Sequence, residues 1–249
     1  MATEFDGLVA LVTGSGSGIG LATARLLKER GATVFGIDVA KGELDDVGTW
    51  IRCDVGDANS VIEAFVELAK QTDQLDIVVN NAGIGATGSI EQATESEWDQ
   101  VLRVNVVGIA RVSAAALPWL RKSSNAAIVN MGSIAATVGL PSRAVYSASK
   151  GAVYSLTLAM AADHVEDKIR VNCVNPGTAD TPWVQRLLEK AEDPVAEKAA
   201  LSARQPIRRL ITPEEVAQAV CFLASPLQAS TTGTSLAVDG GLNTLRLKT

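Results

Sequence analysis

Histidine is almost absent: His164 is the only one in 249 residues. With neither a second histidine nor a clustered set of carboxylates and cysteines, a histidine-based catalytic triad and a zinc site both lack support, and no metal is expected. Cysteine is scarce as well. Cys53, Cys173 and Cys221 lie far apart in apolar contexts without a CxxC pair, the pattern of reduced core thiols rather than of disulfides or metal ligands. An excess of positive charge is also missing. With 22 Lys and Arg against 28 Asp and Glu the formal net charge is −6, and lysines and arginines are scattered, which argues against nucleic acid as a partner. The longest apolar stretches fall short of a membrane span, and Met1 to Gly7 carries acidic residues where a signal peptide carries basic ones. A cytoplasmic protein that engages no membrane is the expectation. No Pro/Ser-rich or charged linker interrupts the chain, so residues 1–249 read as one domain, and 47% hydrophobic content suffices for its core.

What is present begins with an apolar run, Leu8 to Val12, followed by Thr13-Gly14-Ser15-Gly16-Ser17-Gly18-Ile19-Gly20 and then a helical pattern from Leu21 to Arg30. This is a strand, a glycine turn and a helix. Glycines let the backbone approach a pyrophosphate, whose charge then meets the amides of the helix N-terminus. A dinucleotide site is predicted at Gly14, Ser17, Gly18, Ile19 and Gly20. A second strand, 32–37, ends at Asp38, roughly twenty residues past the last glycine, where a carboxylate accepts hydrogen bonds from ribose hydroxyls and repels a 2′-phosphate. The cofactor is therefore expected to be NAD rather than NADP. Lys41 is the first cation that could rescue phosphate binding.

Strands and helices go on alternating as a parallel sheet requires. Further strands are predicted at 50–55, 76–79, 127–131, 170–175 and 235–238, with helices at 59–71, 95–121 and from Tyr146 to about 165. Two helical pieces are expected after 175, the second at 213–224. The fold class is α/β, a doubly wound Rossmann arrangement with a seven-stranded parallel sheet and helices on both faces. Strand C-termini then carry Gly14, Asp38, Asp54, Asn80, Ser133 and Pro176, the edge where such sheets bind ligands. On the helix that follows Ser133, Tyr146 and Lys150 are four residues apart and share one face. A tyrosine is mostly protonated at neutrality, and a positive charge nearby favours the phenolate, so this spacing makes Tyr146 a candidate base.

Taken in order, TGxxxGxG at 13–20, Asp54-Val55, Asn80-Asn81-Ala82-Gly83, Asn105, Ser133, Tyr146-x-x-x-Lys150 and Pro176-Gly177 make the whole chain resemble the short-chain dehydrogenase/reductase family. The resemblance implies that Tyr146 exchanges the carbinol proton and Ser133 holds the carbinol oxygen. Lys150 would bind the nicotinamide ribose and act on the tyrosine, and Asn105 would bulge a helix to hold a relay water. Asp54 and Val55 would face the adenine; Asn81, Ala82 and Gly83 would line the far side of the cofactor; Val104, Pro176, Gly177, Thr178 and Thr181 would border its nicotinamide end. It also implies a homotetramer built through helices 95–121 and 145–165 and the C-terminal strand. The tail 241–249, with Leu242, Leu245 and Leu247, is a candidate to pack on a neighbouring copy.

The substrate is expected to be a small molecule met by the variable lid, about 178–205, through Trp183, Gln185 and Arg204, with Arg143 from the mouth of the site. Two arginines near one reactive hydroxyl suggest a carboxylate, which a guanidinium takes bidentately. These patterns are similar to a branch acting on small hydroxy acids and 2-keto-3-deoxy sugar acids, including 2-keto-3-deoxy-L-fuconate 4-dehydrogenase-like enzymes and cytosolic 3-hydroxybutyrate dehydrogenases. The hydroxybutyrate type has an arginine where this chain has Leu187, with Arg186 one position early. The function expected is NAD-dependent oxidation of a secondary alcohol in such an acid. A 3-oxoacyl carrier-protein reductase-like enzyme and a non-catalytic dinucleotide-binding regulator are the alternatives.

Overall fold

A computed structural model of the protein describes residues 3–189 and 191–247. Lys190 within the expected lid, Lys248 and Thr249 at the end of the expected tail, and Met1 and Ala2 lie outside the described residues. Seven strands pair in parallel in the order β3-β2-β1-β4-β5-β6-β7. They are β1 Val9–Thr13, β2 Thr33–Asp38, β3 Thr49–Arg52, β4 Ile77–Asn80, β5 Ala127–Met131, β6 Arg170–Pro176 and β7 Ser235–Val238. The central strands β1, β4, β5 and β6 are buried at every residue, which explains why β1 and β4 read as nearly continuous apolar runs rather than alternating ones. The chain reverses direction of travel across the sheet between β1 and β4, and that crevice opens at the strands' carboxyl ends.

Helices cover both faces. On one side α2 (Ala58–Ala69), α4 (Gly108–Leu120) and α5 (Ala144–Asp163) bury Phe65, Leu68, Val112, Leu120 and Val153 against the sheet. On the other, α1 (Gly18–Glu29) and α8 (Pro213–Ala224) pack together and bury Leu21, Leu27, Val216 and Val220. Side-chain caps mark the helix starts. Asp57 accepts from the backbone N–H groups of Asn59 and Ser60, and Thr212 with Glu215 forms a reciprocal capping box on α8. At the other end of α8 the buried Arg170 donates to the carbonyls of Leu223, Ala224 and Ser225, so one guanidinium ties β6 to the last turn of that helix.

Four sequence expectations change. Helix 95–121 is α3 (Glu95–Leu102) and α4 separated by a π-helical turn, Arg103–Val107. By length and a mean hydropathy of 1.4 over its most apolar window, the stretch Glu95–Leu120 is long and apolar enough to cross a membrane, contrary to the sequence reading; 39% of that window is buried, against the sheet. After β6 there are three helices rather than two, because the lid contains α6 (Pro182–Glu189) and α7 (Pro194–Arg204) before α8. α7 begins with Pro194 in its first turn and is capped by Asp193, a start signal that the short apolar spacing of the lid obscured. Finally, β3 stops at Arg52, and the Asp54 N–H instead donates to the Ser60 hydroxyl oxygen.

Candidate active site

The glycine turn is shaped by contacts that no side chain could share. Gly14 has φ +64°, and a Cβ there would lie 2.9 Å from the Ala82 Cα; a Cβ on Gly20 would lie 2.1 Å from the Gly14 carbonyl oxygen. Only glycine permits this approach of backbone to backbone, which leaves a cradle of the width a pyrophosphate needs. Thr13, passed over as a site residue in the sequence, holds the cradle together. Its hydroxyl accepts from the N–H of Asn81 (3.0 Å) and of Ala82 (2.8 Å), while the Asn81 amide donates to the carbonyls of Thr13 and Gly14. The glycine turn and the 80–83 turn are therefore one unit.

Asp38 ends β2 beside this turn. Its Oδ2 accepts from the Gly16 N–H at 3.0 Å and its Oδ1 from the Ala40 N–H at 3.3 Å, so the carboxylate is oriented by backbone beside the glycine turn. Lys41, the cation that could have met a 2′-phosphate, is paired with Asp45. Asp54 is exposed and caps Gly56, with Val55 buried beside it. Val104 packs by Gly56 and does not reach the cavity described below, whereas Pro176, Gly177, Thr178 and Thr181 do. These residues fit a nicotinamide dinucleotide: a cradle at 14–20, a hydroxyl-accepting carboxylate at Asp38 and a walled groove toward Thr178.

At the carboxyl ends of β5 and β6 a cavity of about 220 Å³ opens. Ser133, Tyr146 and Lys150 all line it. Ser133 follows β5 in an extended conformation and caps the short 3-10 helix Ile134–Ala136, its oxygen accepting from the Ala135 N–H at 3.1 Å. That bond uses a lone pair and leaves the hydroxyl proton free to be donated. Lys150 is buried, with Nζ 5.7 Å from the centre of the Tyr146 ring and 2.8 Å from the Met131 carbonyl oxygen to which it donates. No carboxylate pairs with it among the described residues.

Asn105 lies in the π turn and is buried. Its amide accepts from the Ile84 N–H (2.8 Å) and donates to the Ile84 carbonyl (2.9 Å) and the Ser149 hydroxyl (3.1 Å). The side chain thus clamps the loop after Gly83 to the helix that carries Tyr146.

Two arginines converge on the same cavity. Arg143 immediately precedes α5, Arg204 ends α7, and both line the wall. Burial, and then the charge of Arg204, hold the Arg143 pKa below the ordinary arginine value. Neither arginine pairs with a carboxylate among the described residues, so two like charges face one space that an anion would stabilise.

The lid decides which of its residues reach that space. α6 and α7 bury Val184, Leu188 and Leu201 together with Leu210. At about 100° per residue, this puts Trp183 and Leu187 on the flank toward the cavity and Gln185 on the other. The structure follows that geometry. Trp183 lines the cavity and lays its ring on Gly85, where a Cβ would come within 2.2 Å of the indole. Gln185, expected as a substrate contact, instead donates to the Asp180 carboxylate outside the cavity. Leu187 lines the wall and Arg186 does not, so the hydroxybutyrate-type arginine has no replacement one position early. Leu140, Ile134, Val184 and Leu201 also form the wall, and no local pattern had marked them.

The chain is similar to known proteins over nearly its whole length. The family described as Enoyl-(Acyl carrier protein) reductase matches residues 14–243. A cis-4-hydroxycyclohexanecarboxylate dehydrogenase of Sinomonas cyclohexanicum is 42% identical, over 97% of this chain and 98% of that protein. A 3-oxoacyl-[acyl-carrier-protein] reductase of Thermotoga maritima is 37% identical, over 96% and 99%. Among solved structures, the ligand-free aldohexose dehydrogenase of Thermoplasma acidophilum superimposes with a TM-score of 0.92 at 32% identity, covering 100% of this chain and 99% of that one.

Proposed function

The chain belongs to the short-chain dehydrogenase/reductase family, an oxidoreductase family, and from that premise we propose that it is an NAD-dependent dehydrogenase of a small hydroxy acid, with residues 1–249 acting as one dinucleotide-binding and catalytic domain. The observation that carries the reading is the convergence of Arg143 and Arg204, both without a carboxylate partner among the described residues, on the cavity that holds Tyr146. A secondary-alcohol dehydrogenase needs only a proton acceptor there; two facing guanidinium groups suit a carboxylate at the far end of the same substrate. The hydroxycyclohexanecarboxylate dehydrogenase to which this chain is similar acts, by its name, on a molecule with both groups.

NAD, when bound, supplies the acceptor for the substrate's hydride. The chain's own residues bind, orient and move one proton. Gly14, Ser17, Gly18, Ile19 and Gly20 would cradle the pyrophosphate, Asp38 the adenosine ribose, Asp54 and Val55 the adenine, and Asn81, Ala82, Gly83, Val104, Pro176, Gly177, Thr178 and Thr181 the rest. Ser133 donates its free hydroxyl proton to the substrate oxygen and so fixes it against Tyr146. The Tyr146 oxygen takes the carbinol proton as the alcohol is oxidised and returns it in reduction. Lys150 sets an unpaired positive charge beside the ring, where it opposes the negative charge left on the phenolate. We assign the π turn at Asn105 the relay water that resupplies the proton.

Turnover with NAD of a hydroxy acid compared with its neutral lactone or alditol tests the function. Preference for neutral polyols would overturn the acid reading and leave the dehydrogenase. Asp38 carries the cofactor choice. Asp38→Asn keeps an oxygen for the Gly16 N–H and removes the charge, so the preference for NAD over NADP should fall roughly ten- to a hundred-fold, the equivalent of a charge-assisted hydrogen bond. An unchanged ratio of kcat/KM values would make Asp38 a turn residue alone.

The 3-oxoacyl carrier-protein reductase-like alternative has support in the relative from Thermotoga maritima, and the same NAD-against-NADP measurement weighs on it. For assembly we propose a homotetramer in the cytoplasm. Val107 on the π turn, Leu158 on α5, and Leu245 and Leu247 in the tail leave large apolar side chains exposed on the elements concerned. Sedimentation as a monomer at micromolar concentration would remove it.

A further inference from the structure

Apart from the two arginines, the groups that address the carbinol and the indole N–H of Trp183, the substrate end of the cavity is walled largely by hydrocarbon. Ile134 and Leu140 come from the loop after β5; Trp183, Val184, Leu187 and Leu201 come from the lid. Other polar side chains nearby each already hold a partner, and keep some capacity beyond it. The Asn81 amide holds the Thr13 and Gly14 carbonyls, Lys150 holds the Met131 carbonyl, and the Thr181 hydroxyl accepts from the Val184 N–H at 3.5 Å. The aliphatic side chains of Ile134, Leu140, Val184, Leu187 and Leu201 offer an added hydroxyl nothing to bond.

We infer that the acid taken by this site carries the reacting hydroxyl on an otherwise hydrocarbon skeleton, cyclic or short-chain, and that polyhydroxylated sugar acids are excluded. The inference rests on the proposed acid dehydrogenase and narrows its substrate class. A hydroxyl pressed against Leu187 or Leu201 leaves its water partners and finds no replacement, whereas a methylene there gains contact.

Two matched pairs test this with NAD and the wild-type enzyme. 3-Hydroxycyclohexanecarboxylate is compared with quinate, which keeps the ring and carboxylate and adds hydroxyls; 5-hydroxyhexanoate is compared with gluconate. In each pair kcat/KM should favour the monohydroxy acid by about 10²-fold or more, the discrimination an apolar pocket exerts against one added hydroxyl. Quinate or gluconate within tenfold of its partner, or turnover of neither member of either pair, would overturn the inference. Cyclohexanol separates the two layers: if it matches its carboxylate, the acid reading fails while the apolar wall can still exclude quinate. Leu187→Gln, at a half-buried cavity position, supplies an amide partner and should narrow the ring pair's ratio by about tenfold. An equal loss on both acids would instead mean that Leu187 only supports the lid.

Discussion

Tyr146→Phe binds NADH as the wild type does and loses turnover by about 10²-fold or more, the share that a positioned acid or base contributes. The substitution removes one oxygen and keeps the ring that packs beside Ile84, Trp98 and Val145. Lys150 keeps its bond to the Met131 carbonyl, and the Thr13 tie between the glycine and 80–83 turns does not involve the tyrosine. Fluorescence titration of NADH should therefore give a dissociation constant within a few-fold of wild type while the chemical step collapses. A variant that retains activity within a few-fold would sink the assignment of the proton to Tyr146. Loss of NADH binding together with turnover would mean that the hydroxyl serves the cofactor instead. Ser133→Ala is the natural companion, since it removes the free hydroxyl proton and leaves the Tyr146 oxygen in place.

Arg143→Ala and Arg204→Ala each lower kcat/KM for an acid substrate by roughly ten- to a hundred-fold, as expected for loss of a charge-assisted bond worth about 1.5–3 kcal/mol, and leave a neutral alcohol almost unaffected. Both arginines line the cavity and the charge of Arg204 acts on Arg143, so their mutual repulsion predicts an additional effect. Removing either relieves the other, so the double variant should lose less than the product of the single losses on the acid, the signature of two groups sharing one partner. Equal losses on acid and neutral substrates would mark them as structural. Arg143 also donates to the Ser142 carbonyl at 2.9 Å, so Arg143→Lys is a useful control: it keeps the charge and loses the fork that grips a carboxylate with two bonds.

What the sequence by itself determined is the part of the site that is local along the chain. A glycine turn sits between one strand and one helix, Tyr146 and Lys150 share a face because four residues make about one helical turn, and Asp38 and Ser133 stand just where strands end. Each of these relations spans a few residues of a single element, and the sheet order then brings the strand ends to one edge. Tertiary structure alone decided the rest. Arg143 before α5 and Arg204 at the end of α7 meet only in lining one cavity, across a separation the chain does not encode in any spacing. Leu187 faces the cavity and Gln185 does not because Val184 and Leu188 must be buried with Leu201 and Leu210, which sets the rotation of α6 about its axis. The same holds for Thr13, whose partners lie on β4's turn, and for the clamp of Asn105 on Ile84. Periodicity records which face of a helix is apolar, but the neighbour that face meets, and hence which flank is left to line a site, is settled by packing between elements far apart in the chain.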